Sequence, residues 1–216
     1  MERYNHLGGL STGGLVIWID RMTDWTGRQV IQGFANDVLD RLPGEGLAGP
    51  PRADWGSNDP KKASYWGQRT AASHGIVTWS PTLDPERLKL VSQEMLLEKG
   101  VRLVFHSWAA VPIVADGAVQ GVVFESKAGR QPLKAKVVVD TTGDGDVFAR
   151  AGAEFDTDIE EGDVHHSANT AFTIGGVDMD RWLAFRATQP EQYAEFAALA
   201  RERLGFFQPP YVSWRN

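Results

Sequence analysis

The chain has 216 residues, which is enough for one domain of ordinary size and part of a second. Its apolar fraction of 42% and charged fraction of 23% are typical of a globular protein and exclude a disordered one. The formal net charge is −6 and no cluster of Lys and Arg occurs, so we expect no nucleic-acid-binding surface.

Cysteine is absent from the sequence. This excludes disulfides, thiol catalysis and a cysteine-ligated 4Fe-4S cluster within this chain. No apolar run approaches the roughly 20 residues that span a bilayer, and the polar N-terminus lacks the apolar stretch of a signal peptide. The sequence therefore predicts a cytoplasmic protein that is not held in a membrane.

The first third of the chain predicts a loop, a strand and a helix. Glycines are dense in residues 5–14, and the apolar stretch Leu15–Ile19 suits a short strand. Between Gly27 and Leu42 apolar residues recur every four positions, which is one face of a helix. Residues 43–75, rich in Gly, Pro, Asp and Ser, predict a long irregular stretch.

The middle of the chain predicts one clear helix among short strands. Asp84 suits the N-cap of that helix, Pro85 its first position and Gly100 its end. Asp116-Gly117 is typical of a tight hairpin turn. The predicted strands are Ile76–Trp79, Val101–Phe105, Ala109–Val114, Val119–Phe124 and Leu133–Val139.

After Val139, the spacing of apolar residues predicts three helices and one further strand. A helix is expected over Val147–Ala151, and two more over Asp180–Thr188 and Glu191–Leu204. Ala168–Ile174 suits a strand.

The most informative segment joins a run of three valines to an acidic glycine turn, from Lys136 to Asp146. Such a run is typical of a strand buried on both faces of a parallel sheet. Ligands bind beyond the carboxyl ends of parallel strands, where glycines let the main chain approach a cofactor. Two alternatives stay open: an ordinary strand with a Gly-Asp turn, or a calcium loop, although the spacing of the aspartates misses the EF-hand pattern.

The order of elements from about Asp84 to Ala153 resembles the FAD-dependent oxidoreductases with a glutathione-reductase-like FAD domain, near proteins resembling heterodisulfide reductase. The resemblance rests on a helix, Gly100-Val-Arg-Leu-Val-Phe, a hairpin with Gly121-Val-Val, the valine run and Thr-Thr-Gly-Asp-Gly-Asp. It implies an α/β fold: a partial FAD/NAD(P)-binding Rossmann-like domain with an inserted three-stranded β-meander, and the start of a substrate domain.

The resemblance also implies a domain division. Residues 1–155 would be an FAD-binding domain lacking its first βα unit, with residues 43–75 as an irregular insertion. Residues 156–216 would begin a substrate or interface domain. The family's Gly-x-Gly-x-x-Gly is expected about 20 residues before its acidic residue. Only Met1 precedes Glu2, so we expect a chain truncated at both ends or a split protein whose partner chain supplies that unit. Alone it would bind FAD weakly or not at all.

By resemblance, the cofactor is FAD. Glu2 falls where the family's acidic residue binds the ribose hydroxyls, and its alternative is a solvated terminal residue. The early glycines would pass beside the phosphates and flavin. Ala109 and Ala110 follow the strand whose end meets adenine in this family, and they would contact it through their main chain. The expected cofactor-binding residues are Glu2, Gly8, Gly9, Ser11, Thr12, Ala109, Ala110, Thr142, Gly143, Asp144, Gly145 and Asp146.

The function implied is a flavin-dependent oxidoreductase that passes electrons or hydride to a small-molecule substrate or an electron-transfer partner. His165 and His166 are candidates for acid–base chemistry, with a surface turn as their alternative, and His6 lies beside the early glycines. Adjacent histidines point in different directions, so no metal site is expected. The alternatives are a non-catalytic remnant or interaction domain without FAD, and an NAD(P)-binding module.

Overall fold

A computed structural model describes residues 1–42, 44–155 and 171–204. The described residues up to 155 belong to one compact unit, and residues 171–204 belong to a second. Both helices and strands are present, which confirms a mixed α/β composition. The assignment of these units as FAD-binding and substrate domains stays a prediction.

The first unit is built from short helices and three small antiparallel sheets. Its helices are α1 (Phe34–Arg41), α2 (Pro60–Gly67), α3 (Pro85–Glu98) and α4 (Asp146–Arg150). Its strands are β1 (Leu47–Ala48), β2 (Ala72–Ser73), β3 (Ile76–Val77), β4 (Thr82–Leu83), β5 (Trp108–Ala115), β6 (Ala118–Ser126) and β7 (Gly129–Lys134). The sheets pair β1 with β4, β2 with β3, and β5 with β6 and then β7.

Helix α3 begins and ends as its sequence predicts. The Asp84 carboxylate accepts hydrogen bonds from the N–H groups of Glu86 and Arg87, and Pro85 occupies the first turn. At the other end Gly100 has a φ of 71°, in the left-handed region that a helix-ending glycine favours. The inward face of α3 joins the main hydrophobic cluster, whose buried members are Met22, Leu39, Leu42, Leu83, Leu88 and Val91.

Strands β5, β6 and β7 form an antiparallel three-stranded sheet of consecutive strands, as the resemblance implies. The turn between β5 and β6 consists of Asp116 and Gly117, with φ values of 51° and 72°. Two positive φ angles in succession match the right-handed twist of the flanking strands. The place of this sheet as an insertion in a Rossmann-like fold stays a prediction.

The valine run departs from its prediction. Strand β7 ends at Lys134, and the side chains of Val137 and Val139 are 76% and 78% exposed. The described residues contain no parallel strand pair, and the run lies outside every strand of the three sheets. Strand propensity is realised mainly through packing on cross-strand neighbours. The predicted burial of this run in a parallel sheet is therefore wrong for the described structure.

The first predicted helix starts later than its spacing indicates. The apolar pattern predicts a start near Gly27, but α1 begins at Phe34. The reason is a loop that holds the intervening residues, because the N–H groups of Val30 and Ile31 both donate to the Met22 carbonyl oxygen. Apolar spacing alone does not reveal such a competing hydrogen bond.

Other corrections concern short segments. Leu15–Ile19 forms no strand beyond an isolated bridge from Trp18 to Thr82, and Val101–Phe105 forms none. The predicted irregular stretch 43–75 instead contains β1, α2 and β2. Residues 171–174 are not a strand, and the rest of that predicted strand lies outside the described residues.

The second unit contains two helices, α5 (Met179–Thr188) and α6 (Pro190–Leu204), close to their predicted bounds. The Asp178 carboxylate caps α5 by accepting from the Arg181 N–H group. Trp182, Phe185 and Tyr193 pack together with ring centroids 6.0–6.5 Å apart. Within the described ranges, no helix combines the length and apolar character that crossing a bilayer requires.

The exposure of the valine run can be tested by mutation. We expect Val137→Thr to change the free energy of unfolding by less than about 0.5 kcal/mol, because the side chain already contacts water. The matched change at a buried strand position, Val122→Thr, is expected to cost about 1–3 kcal/mol, because it buries a hydroxyl group. Urea unfolding monitored by circular dichroism measures both. Equal losses at the two positions would show that the valine run is buried.

Candidate functional site

The acidic glycine turn is held closed by its own side chains. The Asp140 carboxylate accepts from Thr142 N–H at 3.0 Å through Oδ1, and from Val147 and Phe148 N–H at 2.9 Å through Oδ2. The Thr142 hydroxyl oxygen accepts from Asp146 N–H at 3.0 Å. Asp140 therefore fixes both the turn and the start of α4.

Two glycines give this turn its path. Gly143 and Gly145 have φ values of 92° and 71°, a region that residues with a Cβ rarely adopt. A Cβ on Gly145 would lie 2.1 Å from the Phe148 ring. Both carboxylate oxygens of Asp140 accept main-chain N–H groups, as in a cap rather than a calcium ligand. Among the residues that the structure describes, no group of three or more His, Asp or Glu is arranged to hold a metal.

These hydrogen bonds lower the pKa of Asp140. Partial burial is the largest single influence and acts to raise the pKa. The hydrogen bonds from the N–H groups of Thr142, Phe148 and Val147, with that of the Thr142 side chain, together outweigh burial. The pKa therefore lies below the ordinary value of 3.8, so the capping carboxylate stays ionised near neutral pH.

Thr12 organises the early glycine loop from inside. Its side chain is fully buried, and its hydroxyl donates to the Leu7 carbonyl oxygen at 2.7 Å. A Cβ on Gly8 would lie 2.8 Å from the Thr12 methyl carbon, so the chain needs glycine here. Gly8 and Gly9 are exposed, whereas Ser11 is half-buried. Main-chain groups of this loop are thus available to a ligand, while Thr12 supports the loop from within.

His6 belongs to the same loop. Its Nδ1 atom lies 3.2 Å from the Thr12 hydroxyl, and a Cβ on Gly13 would lie 2.7 Å from the His6 ring. The ring also stacks on Tyr4, with centroids 5.7 Å apart. These contacts make His6 part of the packing of the loop.

Glu2 is fixed to the segment that leads into β5. Its N–H donates to the Val104 carbonyl oxygen at 2.8 Å, and its own carbonyl accepts from Ser107 N–H at 3.0 Å. Carboxylate oxygen Oε1 accepts from Tyr4 N–H, also at 3.0 Å. Glu2 is half-buried and anchored, unlike a frayed terminal residue.

Arg3, the residue after Glu2, lines an open pocket of about 260 Å³. The Arg3 guanidinium sits 4.0 Å above the centroid of the Trp108 ring, which is 45% exposed. The pocket is lined by Arg3, His106, Trp108, Glu125, Ser126 and Lys127. Sequence reasoning missed this pocket, because its walls come from the N-terminus, the start of β5, and the end of β6 with the turn that follows it. The only signal in the sequence was that Arg3 directly follows Glu2.

Helix α4 connects the acidic turn to the start of β5. The Arg150 guanidinium donates to the Ala110 carbonyl oxygen at 2.9 Å and lies 3.6 Å from the Asp146 carboxylate. Arg150 thus joins two sets of expected cofactor residues, those of the acidic turn and those of β5 at Ala110.

The other expected site residues are not joined to the turn in this way. In the part of the chain that the structure describes, no hydrogen bond joins the early glycine loop to the turn. His165 and His166 lie outside the described residues.

The lowered pKa of Asp140 predicts a pH-dependent stability. A carboxylate whose pKa is depressed on folding stabilises the protein above its unfolded pKa and loses that effect as pH falls through its folded pKa. We expect Asp140→Asn to lower the unfolding free energy near pH 7 and to flatten its decline below about pH 4. Urea unfolding across this pH range measures the effect.

A matched control is Asp116→Asn, at the exposed tip of the β5–β6 turn. We expect this variant to keep the acid decline of the unmodified chain. If Asp140→Asn also keeps it, the carboxylate does not support the turn.

Comparison with protein families identifies the family to which the chain belongs. The family described as FAD dependent oxidoreductase matches residues 1–212, nearly the whole chain. The comparisons with curated proteins and with solved structures gave no match. A family match over this length extends through both units and includes Glu2, the early glycines and the acidic turn. The chain belongs to the FAD-dependent oxidoreductase family.

Proposed function

We propose that this chain binds FAD and serves a flavin-dependent oxidoreductase reaction, with a small-molecule substrate or an electron-transfer partner receiving or supplying the electrons. The bound flavin would supply the redox chemistry, as electron or hydride transfer. The residues of the chain bind and orient it. The observation that carries the proposal is the anchored Glu2: its main chain is bonded to Val104 and Ser107 just before β5, and its neighbour Arg3 lines the pocket with Trp108.

The adenosine half of FAD would bind next to Glu2. A carboxylate can accept hydrogen bonds from two neighbouring ribose hydroxyls at once. The backbone bonds of Glu2 to Val104 and Ser107 hold its side chain near β5 before any ligand binds. The flat faces of the Arg3 guanidinium and the Trp108 ring form one wall of the adjacent pocket. A purine base can stack on such surfaces.

The phosphates and the flavin of FAD would contact main-chain groups of the early glycine loop and of the acidic turn. Gly8 and Gly9 are exposed and lack side chains, so a ligand can approach their N–H groups closely. Thr142, Gly143, Asp144, Gly145 and Asp146 form the second expected contact, in a turn fixed by Asp140. A rigid turn loses little conformational entropy on binding, which favours affinity.

The exposed valine run suits the expected partner. We propose that an apolar strand carrying the Gly-x-Gly-x-x-Gly unit lies against Val137 and Val139, whose side chains now contact water. Such a strand would bury the valines on a sheet face and add backbone hydrogen bonds.

Nucleotide titrations test the proposal. We expect FAD to bind more tightly than FMN or NAD, because only FAD combines the adenosine half with the flavin. Glu2→Gln is expected to weaken FAD binding by about tenfold, since it removes a charge-assisted hydrogen-bond acceptor. FMN binding should stay unchanged in this variant. Isothermal titration calorimetry measures all three affinities.

The control variant is Glu98→Gln, which removes a carboxylate paired with Arg41 at the end of α3. It should leave FAD affinity unchanged. Tighter binding of NAD than of FAD would favour an NAD(P)-binding module. Absence of FAD binding at millimolar concentration, with the chain folded, would favour an interaction domain without cofactor.

A further inference from the structure

Helix α4 lies between two segments that the proposed function places against one cofactor. We propose that Asp140 and Arg150 are positioning residues that hold the acidic turn and the start of β5 in one fixed arrangement. This inference rests on the proposed FAD site and adds the element that joins its two halves. Neither side chain was among the residues expected from the sequence.

The first step concerns the helix itself. A helix of five residues cannot form stably alone, since nucleation costs more than so few backbone bonds return. Helix α4 exists because Asp140 accepts from the N–H groups of Val147 and Phe148, and because the Val147 side chain is buried. The position of α4 therefore follows the position of Asp140.

The second step concerns the far end of α4. Arg150 donates to the carbonyl oxygen of Ala110, a residue of β5 forty positions earlier in the chain. The ion pair of Arg150 with Asp146 is half-exposed, and such pairs contribute little to stability. Arg150 thus has a small energetic role but a definite geometric one, because it links the turn to the strand through α4.

The charged groups around Asp140 are few. Asp144 lies in the turn, Asp146 and Arg150 lie on α4, and Lys136 precedes the valine run. Strand β5, which packs against α4, carries no charged residue. The turn is therefore aligned with β5 by the packing of α4 on that strand and by the hydrogen bonds of Asp140 and Arg150, rather than by a larger charge network.

A loss of positioning can be told from a loss of folding by comparing the affinity for whole FAD with the affinities for its separate parts. Arg150→Ala is expected to weaken FAD binding by about tenfold, because the two contact segments are no longer aligned for one rigid ligand. Binding of adenosine, which needs only the segment at β5, and of FMN, which needs only the turn and the early glycine loop, should change by less than about twofold. Arg150→Gln, which can still donate to the Ala110 carbonyl, should restore most of the FAD affinity.

A matched control is Arg41→Ala, which removes a cation paired with Glu98 near the end of α3. It should leave the ratio of FAD to FMN affinity unchanged. Equal weakening of FAD, adenosine and FMN in Arg150→Ala would mean a general loss of structure and would overturn the inference. Unchanged FAD binding would overturn it as well.

A second measurement keeps the inference testable if the unmodified chain binds no FAD, an outcome that contradicts the proposed function alone. In the isotope-labelled chain without ligand, Asp140→Asn should shift the NMR amide signals of Ala110 and Val111 across α4. Signals at the β2–β3 turn, around Gly75, serve as the internal control and should not move. If only Thr142–Phe148 respond, Asp140 does not position β5 and the inference fails.

Discussion

One carboxylate sets the geometry of the acidic turn. Asp140 accepts three main-chain N–H groups, from Thr142, Val147 and Phe148, and so fixes the turn and the first residues of α4 together. Hydrogen bonds to a charged acceptor are stronger than neutral ones, and those from the main chain lower the pKa of this group. The link from Arg150 to Ala110 then extends this order to β5. The turn and the start of β5 therefore hold their arrangement before a cofactor would bind.

Sequence reasoning succeeded where the decisive interactions are local. Asp84 and Pro85 start α3, and Gly100 ends it, through bonds within a few residues. Asp116-Gly117 makes the β5–β6 hairpin for the same reason, because two positive φ angles suit these residue types. The candidate turn was also found from its residues. The role of Asp140 was missed, although an Asp two positions before Thr142 is a known pattern for closing a turn on its own main chain.

The sequence predictions failed where the conformation of a segment depends on residues far away in the chain. Val137 to Val139 has the composition of a buried strand, yet burial requires a neighbouring strand that the described residues do not provide. Residues 27–33 have helical spacing, but the Met22 carbonyl holds Val30 and Ile31 in a loop. The Arg3–Trp108 pocket draws its walls from three separate parts of the chain. No pattern within one segment indicates such an arrangement.

The most direct test of the central claim maps where FAD touches the chain. Two-dimensional NMR of the isotope-labelled chain during FAD titration reports each main-chain amide, and it detects weak binding. We expect the largest changes in amide chemical shift at Glu2, Gly8, Gly9 and Trp108, and in the turn from Thr142 to Asp146. These changes should increase together as the FAD concentration rises. Shifts confined to α5 and α6, or spread evenly over the surface, would contradict the account.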